Sequence, residues 1–278
     1  MVQPLLDHVV INVAAQLDEA SALYRRLGFQ LTARGHHSLG SSNHLAVFGD
    51  NYLELLGYEP GNDGQRQDLW QAPLGLTGLV WKTQDADAVF HHLQQRDLAG
   101  DPPAAFFRPV QLPDGQNREA HFRTVRLRPA LIPNGRSFFC QHATPEAVWQ
   151  PDWQVHPNSV SAISGVVIAA QQPAAASEVY QALFGASSIQ PAGEGTWVLQ
   201  AGEVQVLFAS PQYTVPRFGP LPAGYDGSPR MSALSFHSTN LANTQASLQA
   251  GGIPYHTHAG DVLVHADQGF NVALRFHH

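Results

Sequence analysis

One order of predicted elements, strand, helix and then three strands, recurs four times along the chain, and this repeat restricts the fold more than any other feature. The first copy opens with the alternating, β-branched run 6–13, which is typical of a buried strand. A helix is predicted over 17–27, and further strands over 29–33, 44–48 and 52–56. The later copies open with strands at 76–83, 163–168 and 231–236.

Four such units predict an α+β fold. In each βαβββ unit one helix covers the convex face of a small sheet, and two units join into a curved, half-open barrel. We therefore predict an N-terminal domain over 1–145, a linker over 146–160 and a C-terminal domain over 161–278. The linker contains Trp149 and Trp153, which we expect to pack between the two domains.

Composition excludes several classes of function. A length of 278 residues suits two ordinary domains, and a net charge of -7 without a basic run argues against nucleic acid as a partner. No apolar stretch approaches the roughly 20 residues that span a bilayer, and the N-terminus does not resemble a signal peptide. The single cysteine, Cys140, fits a cytoplasmic protein. A small-molecule substrate is the expected partner, and a homodimer stays open.

The first unit places an imidazole and a carboxylate on two of its strands. His8 lies in the first strand and Glu54 lies among apolar residues in the last. A buried carboxylate is costly unless it is compensated, and a divalent metal shared with His8 would compensate it. The alternatives are a core histidine bonded to a backbone carbonyl and a carboxylate paired with Arg26 or another arginine.

Several stretches resemble the vicinal oxygen chelate superfamily, which includes glyoxalases and extradiol dioxygenases, and more narrowly the bacterial glyoxalase-like domain proteins. In the first unit they are Leu6-Asp7-His8-Val9-Val10 and the stretches 23–29, 35–37, 43–48 and 52–55. In the second unit they are 79–83, Arg108-Pro109, Pro113-Asp114-Gly115 and 138–142. The resemblance is specific over the first 150 residues, and after about residue 160 only the βαβββ rhythm carries it.

The resemblance implies two paired-module domains and one divalent metal (Zn, Ni, Mn or Fe), without an organic cofactor, in the cleft of the first pair. His8 and Glu54 match the ligands of the first and last strands. The second unit departs from the pattern because Gly78 stands where a ligand is expected. His142 is the best replacement, and Glu119 and His121 are alternates. The second pair of units lacks such ligands and is expected to be chemically silent.

Other residues are candidates for catalysis or substrate binding. Glu54 and His142 are expected to move protons, since a carboxylate or imidazole near a metal suits that role. The candidate substrate-binding residues are His37 and Asn43 in a polar loop, Arg108 and Arg118 in an anion-recognition group with Arg123, and Trp81 in a pocket wall. Solvated loop or surface positions are the alternative for the histidine and the arginines, and core packing is the alternative for Trp81.

The predicted function is metal-assisted chemistry of the lyase or isomerase type on a small oxygenated substrate, for which the arginines would suit an anion. A metal-free protein that binds or sequesters a small molecule is the first alternative. An iron(II) extradiol-type dioxygenase is the second, because two histidines and one carboxylate also support oxygen activation.

Overall fold

The computed structural model describes residues 2–278 and contains two mixed sheets of eight strands each. The first sheet has the order β2-β3-β4-β1-β5-β8-β7-β6. Its strands are β1 (Leu6–Ala14), β2 (Gly35–His36), β3 (Ser42–Val47), β4 (Tyr52–Gly57), β5 (Gly75–Thr83), β6 (Ala104–Gln111), β7 (Asn117–Arg126) and β8 (Arg136–His142). Its helices are α1 (Leu17–Arg26), α2 (Gln67–Trp70) and α3 (Ala86–Gln94).

The second sheet repeats this topology in the order β10-β11-β12-β9-β13-β16-β15-β14. Its strands are β9 (Val160–Ala169), β10 (Ile189–Gly193), β11 (Thr196–Ala201), β12 (Val204–Ala209), β13 (Arg230–Ser238), β14 (His256–His258), β15 (Asp261–Val264) and β16 (Ala273–His277). Its helices are α4 (Pro173–Phe184), α5 (Pro211–Phe218) and α6 (Leu241–Ala250). The α+β fold of four paired βαβββ units is therefore confirmed. Among residues 2–278 no helix combines the length and the apolar character needed to cross a membrane.

Local structure departs from the sequence-based prediction at a few places. The strand predicted over 29–33 is absent, and the edge strand β2 forms two residues later, at Gly35–His36. Phe29 instead packs in the core against Phe48 and Phe236. The strand β10 and the helix α5 were not predicted. Asp85 is the N-cap that the sequence indicates, since its side chain accepts a hydrogen bond from the Ala88 amide.

The two sheets pack with their convex faces toward one hydrophobic core that runs through both halves. Trp81 of β5, for example, packs against Tyr180 and Phe184 of α4. The segment between the sheets covers the concave face of the first sheet, where the Trp149 ring lies tilted against His142 with 4.8 Å between centroids. The expectation that the linker tryptophans pack between the domains is therefore wrong, because Trp149 and Trp153 belong to this concave cluster.

The centre of the first sheet positions the candidate site. Strand β1 pairs in parallel with β4, which brings Val10 opposite Glu54, and antiparallel with β5, which brings Val10 opposite Gly78. A side chain at position 78 would place its Cβ 2.6 Å from the Val10 Cβ. Position 78, where the second unit has no metal ligand, therefore has no room for a side chain, because β1 and β5 approach too closely there.

Candidate functional site

The concave face of the first sheet lines a partly open cavity of about 60 Å³, which we call the Glu54 cavity. Four of its polar lining residues are His8, His37, Asn43 and Glu54. Several arginines also reach its wall: Arg66, Arg108, Arg126 and Arg136. The volume is enough for roughly four waters, or for one molecule of a few non-hydrogen atoms.

Glu54 is buried at the centre of this cavity. Strand alternation in β4 points Tyr52, Glu54 and Leu56 to the concave face, while the residues between them enter the shared core. The Asn43 side-chain amide donates a 2.6 Å hydrogen bond to Glu54 Oε1. Burial opposes the ionisation of Glu54, but the neighbouring His37 and His8 and the Asn43 hydrogen bond outweigh it and lower its pKa. Glu54 is therefore a carboxylate at neutral pH.

His8 is held in one orientation by Asp7. A β-bulge between Leu6 and His8 shifts the register of β1, and His8 Nδ1 donates a 2.6 Å hydrogen bond to Asp7 Oδ2. The ring of His8 stacks on Tyr52 with 4.2 Å between centroids. His8 Nε2 therefore faces Glu54 Oε2, at 3.8 Å. This distance is too long for a hydrogen bond, so each group keeps acceptor capacity toward the cavity.

His37 approaches Glu54 from the loop that precedes β3. Its Nε2 lies 3.7 Å from Glu54 Oε1 and 3.2 Å from Asn43 Nδ2, and its Nδ1 bonds with Ser41 Oγ. Burial, reinforced by nearby arginines, lowers the pKa of His37 to about 4 against the attraction of Glu54. His37 is thus neutral at pH 7. Because the Asn43 amide donates to His37 Nε2, the single lone pair of that nitrogen accepts this hydrogen bond, and Nε2 could bind a cation only after the hydrogen bond breaks.

His142 does not join this group, which corrects the predicted ligand set of His8, Glu54 and His142. Its Nε2 donates to Asp7 Oδ2 at 3.0 Å, and its ring lies in a separate groove against Trp149. Burial opposes the ionisation of Asp7, but the charge and hydrogen bonds of His142 and His8 lower its pKa. The catalytic role expected of His142 therefore becomes, at most, the positioning of His8 through Asp7.

The alternate ligands are also excluded from the cavity. Glu119 and His121 are exposed on β7, where they pair with each other at 3.0 Å. Both side chains are about half exposed to solvent. Their position on the outer surface of the hairpin keeps them away from Glu54.

Two sets of side chains on the concave face offer metal-ligand chemistry. Over residues 2–278 the ligand atoms of Asp7, Cys140 and His142 all lie within 4.8 Å of one another. In that set Asp7 already accepts two hydrogen bonds, and burial raises the pKa of the Cys140 thiol well above its usual value, so Cys140 stays protonated.

A wider set around Glu54, formed by His8, His37 and Glu54, is the second candidate for a divalent cation. It presents His8 Nε2 and Glu54 Oε2 with free acceptor capacity, and His37 Nε2 would join them once the Asn43 hydrogen bond breaks. Asp7 behind His8 is the carboxylate partner that metal-binding histidines usually have.

The structure separates the predicted arginines. Arg108 is buried in the cavity wall, with 1% of its surface exposed. Arg118 is exposed and donates to Gln116, and Arg123 pairs with Asp87 through two 2.8 Å hydrogen bonds outside the cavity.

Sequence reasoning missed Arg136. Strand alternation provided a signal for it, because Arg136 lies two residues before Phe138 on the face that carries Cys140.

Trp81 is not a cavity residue, which corrects the predicted pocket wall. Its side chain is fully buried in the shared core, and its Nε1 donates to Ser137 Oγ at 2.7 Å. Strand β5 points the neighbouring residue Val80 to the concave side instead. The aromatic residues that line the cavity are Tyr52, Phe106, Phe122 and Phe138.

Comparisons with known proteins agree with this architecture. A family described as "Glyoxalase-like domain" matches residues 6–184. A structure called a hypothetical protein from Staphylococcus aureus is 13% identical with a TM-score of 0.68, and 98% of each chain is covered. A mutant of 4-hydroxymandelate synthase from Streptomyces coelicolor is 14% identical with a TM-score of 0.62, covering 99% of this chain and 92% of that one.

A third similar structure is a xylose isomerase-like TIM barrel/4-hydroxyphenylpyruvate dioxygenase fusion protein. It is 12% identical with a TM-score of 0.60, covering 99% of this chain and 48% of the fusion protein. No curated protein matches the chain. At these identities the similar structures establish the fold alone, which is that of the vicinal oxygen chelate proteins.

Proposed function

Because the chain belongs to the glyoxalase-like domain family, we propose that it is a metal-dependent enzyme that moves a proton on a small oxygenated molecule in the Glu54 cavity. The observation that carries the proposal is the buried Glu54 carboxylate flanked by His8 Nε2 at 3.8 Å and His37 Nε2 at 3.7 Å. His8, His37 and Glu54 would hold the cation. A bound divalent metal would supply Lewis-acid polarisation of a substrate oxygen, which is the chemistry that metal-dependent lyases and isomerases use.

Other side chains of the cavity would hold the catalytic groups in position and accept the proton. Asn43 holds Glu54 Oε1 through its amide, which leaves Oε2 as the oxygen that can take a proton from the substrate. Asp7 fixes the ring of His8, and Tyr52 packs along its face. The aromatic side chains of Phe106, Phe122 and Phe138 line the cavity and reduce the contact of a bound molecule with water. The single buried Cys140 supports the cytoplasm as the compartment in this proposal.

Elemental analysis of protein purified without a metal-affinity step tests the metal site. We expect about one divalent metal per chain, lost in His8→Ala and Glu54→Gln and retained in the control His121→Gln, whose side chain is exposed. Metal content that survives Glu54→Gln, or native protein that stays metal-free when zinc, nickel, manganese or iron(II) is added, would refute it. Turnover of small carbonyl compounds that disappears on chelation tests the chemistry.

A metal-free binding protein is the second candidate. It is supported by the Asn43 hydrogen bond that already satisfies Glu54 Oε1 and by a cavity smaller than the 300 Å³ or more of most ligand sites. Native protein that carries an organic molecule and no metal would favour it.

An iron(II) dioxygenase is the third candidate, supported by the donor set of two histidines and one carboxylate. It predicts oxygen uptake with a catechol-like substrate, and loss of that uptake when iron is chelated.

A further inference from the structure

Arg108 is a buried cation that forms no direct ion pair. Over residues 2–278 no acidic side chain pairs with Arg108, and its Nε and Nη2 are buried without a hydrogen-bond partner. The guanidinium passes over Gly35, where a Cβ would lie 2.5 Å from Arg108 Nη1 and 2.5 Å from Asn43 Oδ1. An unpaired buried guanidinium is expensive, so its place in the wall of the cavity points to an anionic partner.

The two free atoms of Arg108 indicate the shape of that partner. Nε and Nη2 lie along one edge of the planar guanidinium, and their N–H groups point in nearly parallel directions. This edge matches the two oxygens of a carboxylate, which can accept both hydrogen bonds at once. A single carbonyl or hydroxyl oxygen can accept from both donors only in a bent, shared geometry, so it matches this edge less well than a carboxylate does.

A second arginine reaches the same cavity from β8. Arg136 Nε is buried without a partner among the described residues, and its guanidinium lies 5.6 Å from the centre of the Phe138 ring. Burial lowers the pKa of Arg136 to about 9, so the side chain remains charged at pH 7. The other two arginines of the lining, Arg66 and Arg126, share the exposed Asp68 at 3.4 and 3.0 Å. Arg108 and Arg136 therefore face Glu54 as two cations against one carboxylate.

We infer that the substrate is a small carboxylate, such as a 2-oxo or 2-hydroxy acid, whose carboxyl group binds along the Nε and Nη2 edge of Arg108 and is also contacted by Arg136. This inference rests on the proposed function only in taking the Glu54 cavity as the substrate site. The carboxyl group would occupy the arginine side of the cavity, and the adjoining oxygenated carbon would face Glu54. The cavity of about 60 Å³ suits the carboxyl end of such an acid, and a longer chain would extend toward its opening.

Binding to chelator-treated, metal-free protein tests the inference without requiring catalysis. The probes are pyruvate, its neutral amide pyruvamide, and inorganic phosphate, each titrated and followed by ligand-detected NMR. We expect pyruvate to bind at least tenfold more tightly than pyruvamide and phosphate. Arg108→Met and Arg136→Met should raise the Kd for pyruvate by about 10- to 100-fold, as the loss of charged hydrogen bonds predicts. The control Arg118→Met, an exposed arginine of the same hairpin, should leave it unchanged.

Stability measurements keep the test valid if a variant binds nothing. Without added anion, Arg108→Met should be at least as stable to urea as the native protein, because it removes a buried charge that has no partner. Pyruvate should raise the urea midpoint of the native protein and of Arg118→Met, and should not raise that of Arg108→Met.

Three results would overturn the inference: equal affinity for pyruvate and pyruvamide, tighter binding of phosphate than of pyruvate, or native-like pyruvate binding in Arg108→Met. Pyruvate binding that depends on Arg108 in a protein that never takes up metal would refute the metal-dependent function and leave the carboxylate site intact. If metal binds and is lost in Glu54→Gln, but the protein does not distinguish pyruvate from pyruvamide, the metal-dependent function would stand and the carboxylate site would be refuted.

Discussion

Asp7 offers the sharpest test of how the site is built, because one buried oxygen accepts hydrogen bonds from two imidazoles. Asp7→Asn keeps the shape of the side chain and removes its charge. A hydrogen bond to a charged group contributes about 1.5–3 kcal/mol and a neutral one about 0.5–1.5 kcal/mol, so each bond should lose roughly 1–1.5 kcal/mol. With bonds of 2.6 Å from His8 and 3.0 Å from His142, we expect a loss of roughly 2–3 kcal/mol in the free energy of unfolding.

Urea unfolding of the native protein, Asp7→Asn and the exposed control Asp101→Asn measures this loss at several pH values. The pKa of Asp7 is lowered in the folded state from its ordinary 3.8, so its contribution is present above pH 3.8 and is lost as the pH falls toward the folded value. The deficit of Asp7→Asn should therefore be present at pH 5 and at pH 7 and should shrink at pH 3. Native-like stability of Asp7→Asn at pH 7, or an equal deficit at pH 3, would refute this account of the site.

Three further predictions concern the core, the arginine and the loop histidine. Trp81 packs between the two halves, so Trp81→Ala should lower the free energy of unfolding in urea by about 3–5 kcal/mol. The Kd of the folded fraction for pyruvate should not change, and a selective loss of binding would contradict the core position of Trp81. The methyl group of Gly35→Ala should displace Arg108 and weaken pyruvate binding by at least tenfold, while circular dichroism shows a native fold. Unchanged affinity would argue against the close contact between position 35 and the Arg108 side chain. His37 has a pKa of about 4 in the folded protein against an ordinary 6.5, so the unfolded chain binds a proton first as the pH falls. The free energy of unfolding should therefore fall by up to roughly 3 kcal/mol between pH 6.5 and 4. His37→Gln should reduce this dependence of stability on pH, and an equal dependence in both proteins would exclude His37 as its source.

The sequence was sufficient for the architecture because the architecture follows from local patterns. Alternation of apolar and polar residues predicted the central strands, and the spacing of strands and helices predicted four βαβββ units. It missed the short strands β2 and β10, whose few residues carry little periodicity. Alternation along β4 also indicated that Glu54 faces away from the residues on either side of it.

The site itself depended on contacts that no local pattern contains. Asp7 lies at a shift in the register of β1, and its carboxylate accepts hydrogen bonds from His142 and His8, which removes His142 from the predicted ligand set. The close approach of β1 and β5 leaves Gly78 no space for a side chain.

The sequence by itself therefore determined which residues alternate on which strands, because that order follows from the backbone repeat of each segment. Only the tertiary structure decided that His37 and Arg136 would meet Glu54 and that Arg118 and Trp81 would not. These outcomes depend on the register and curvature of strands far apart in the chain, and a shift of one residue in register would reverse every face.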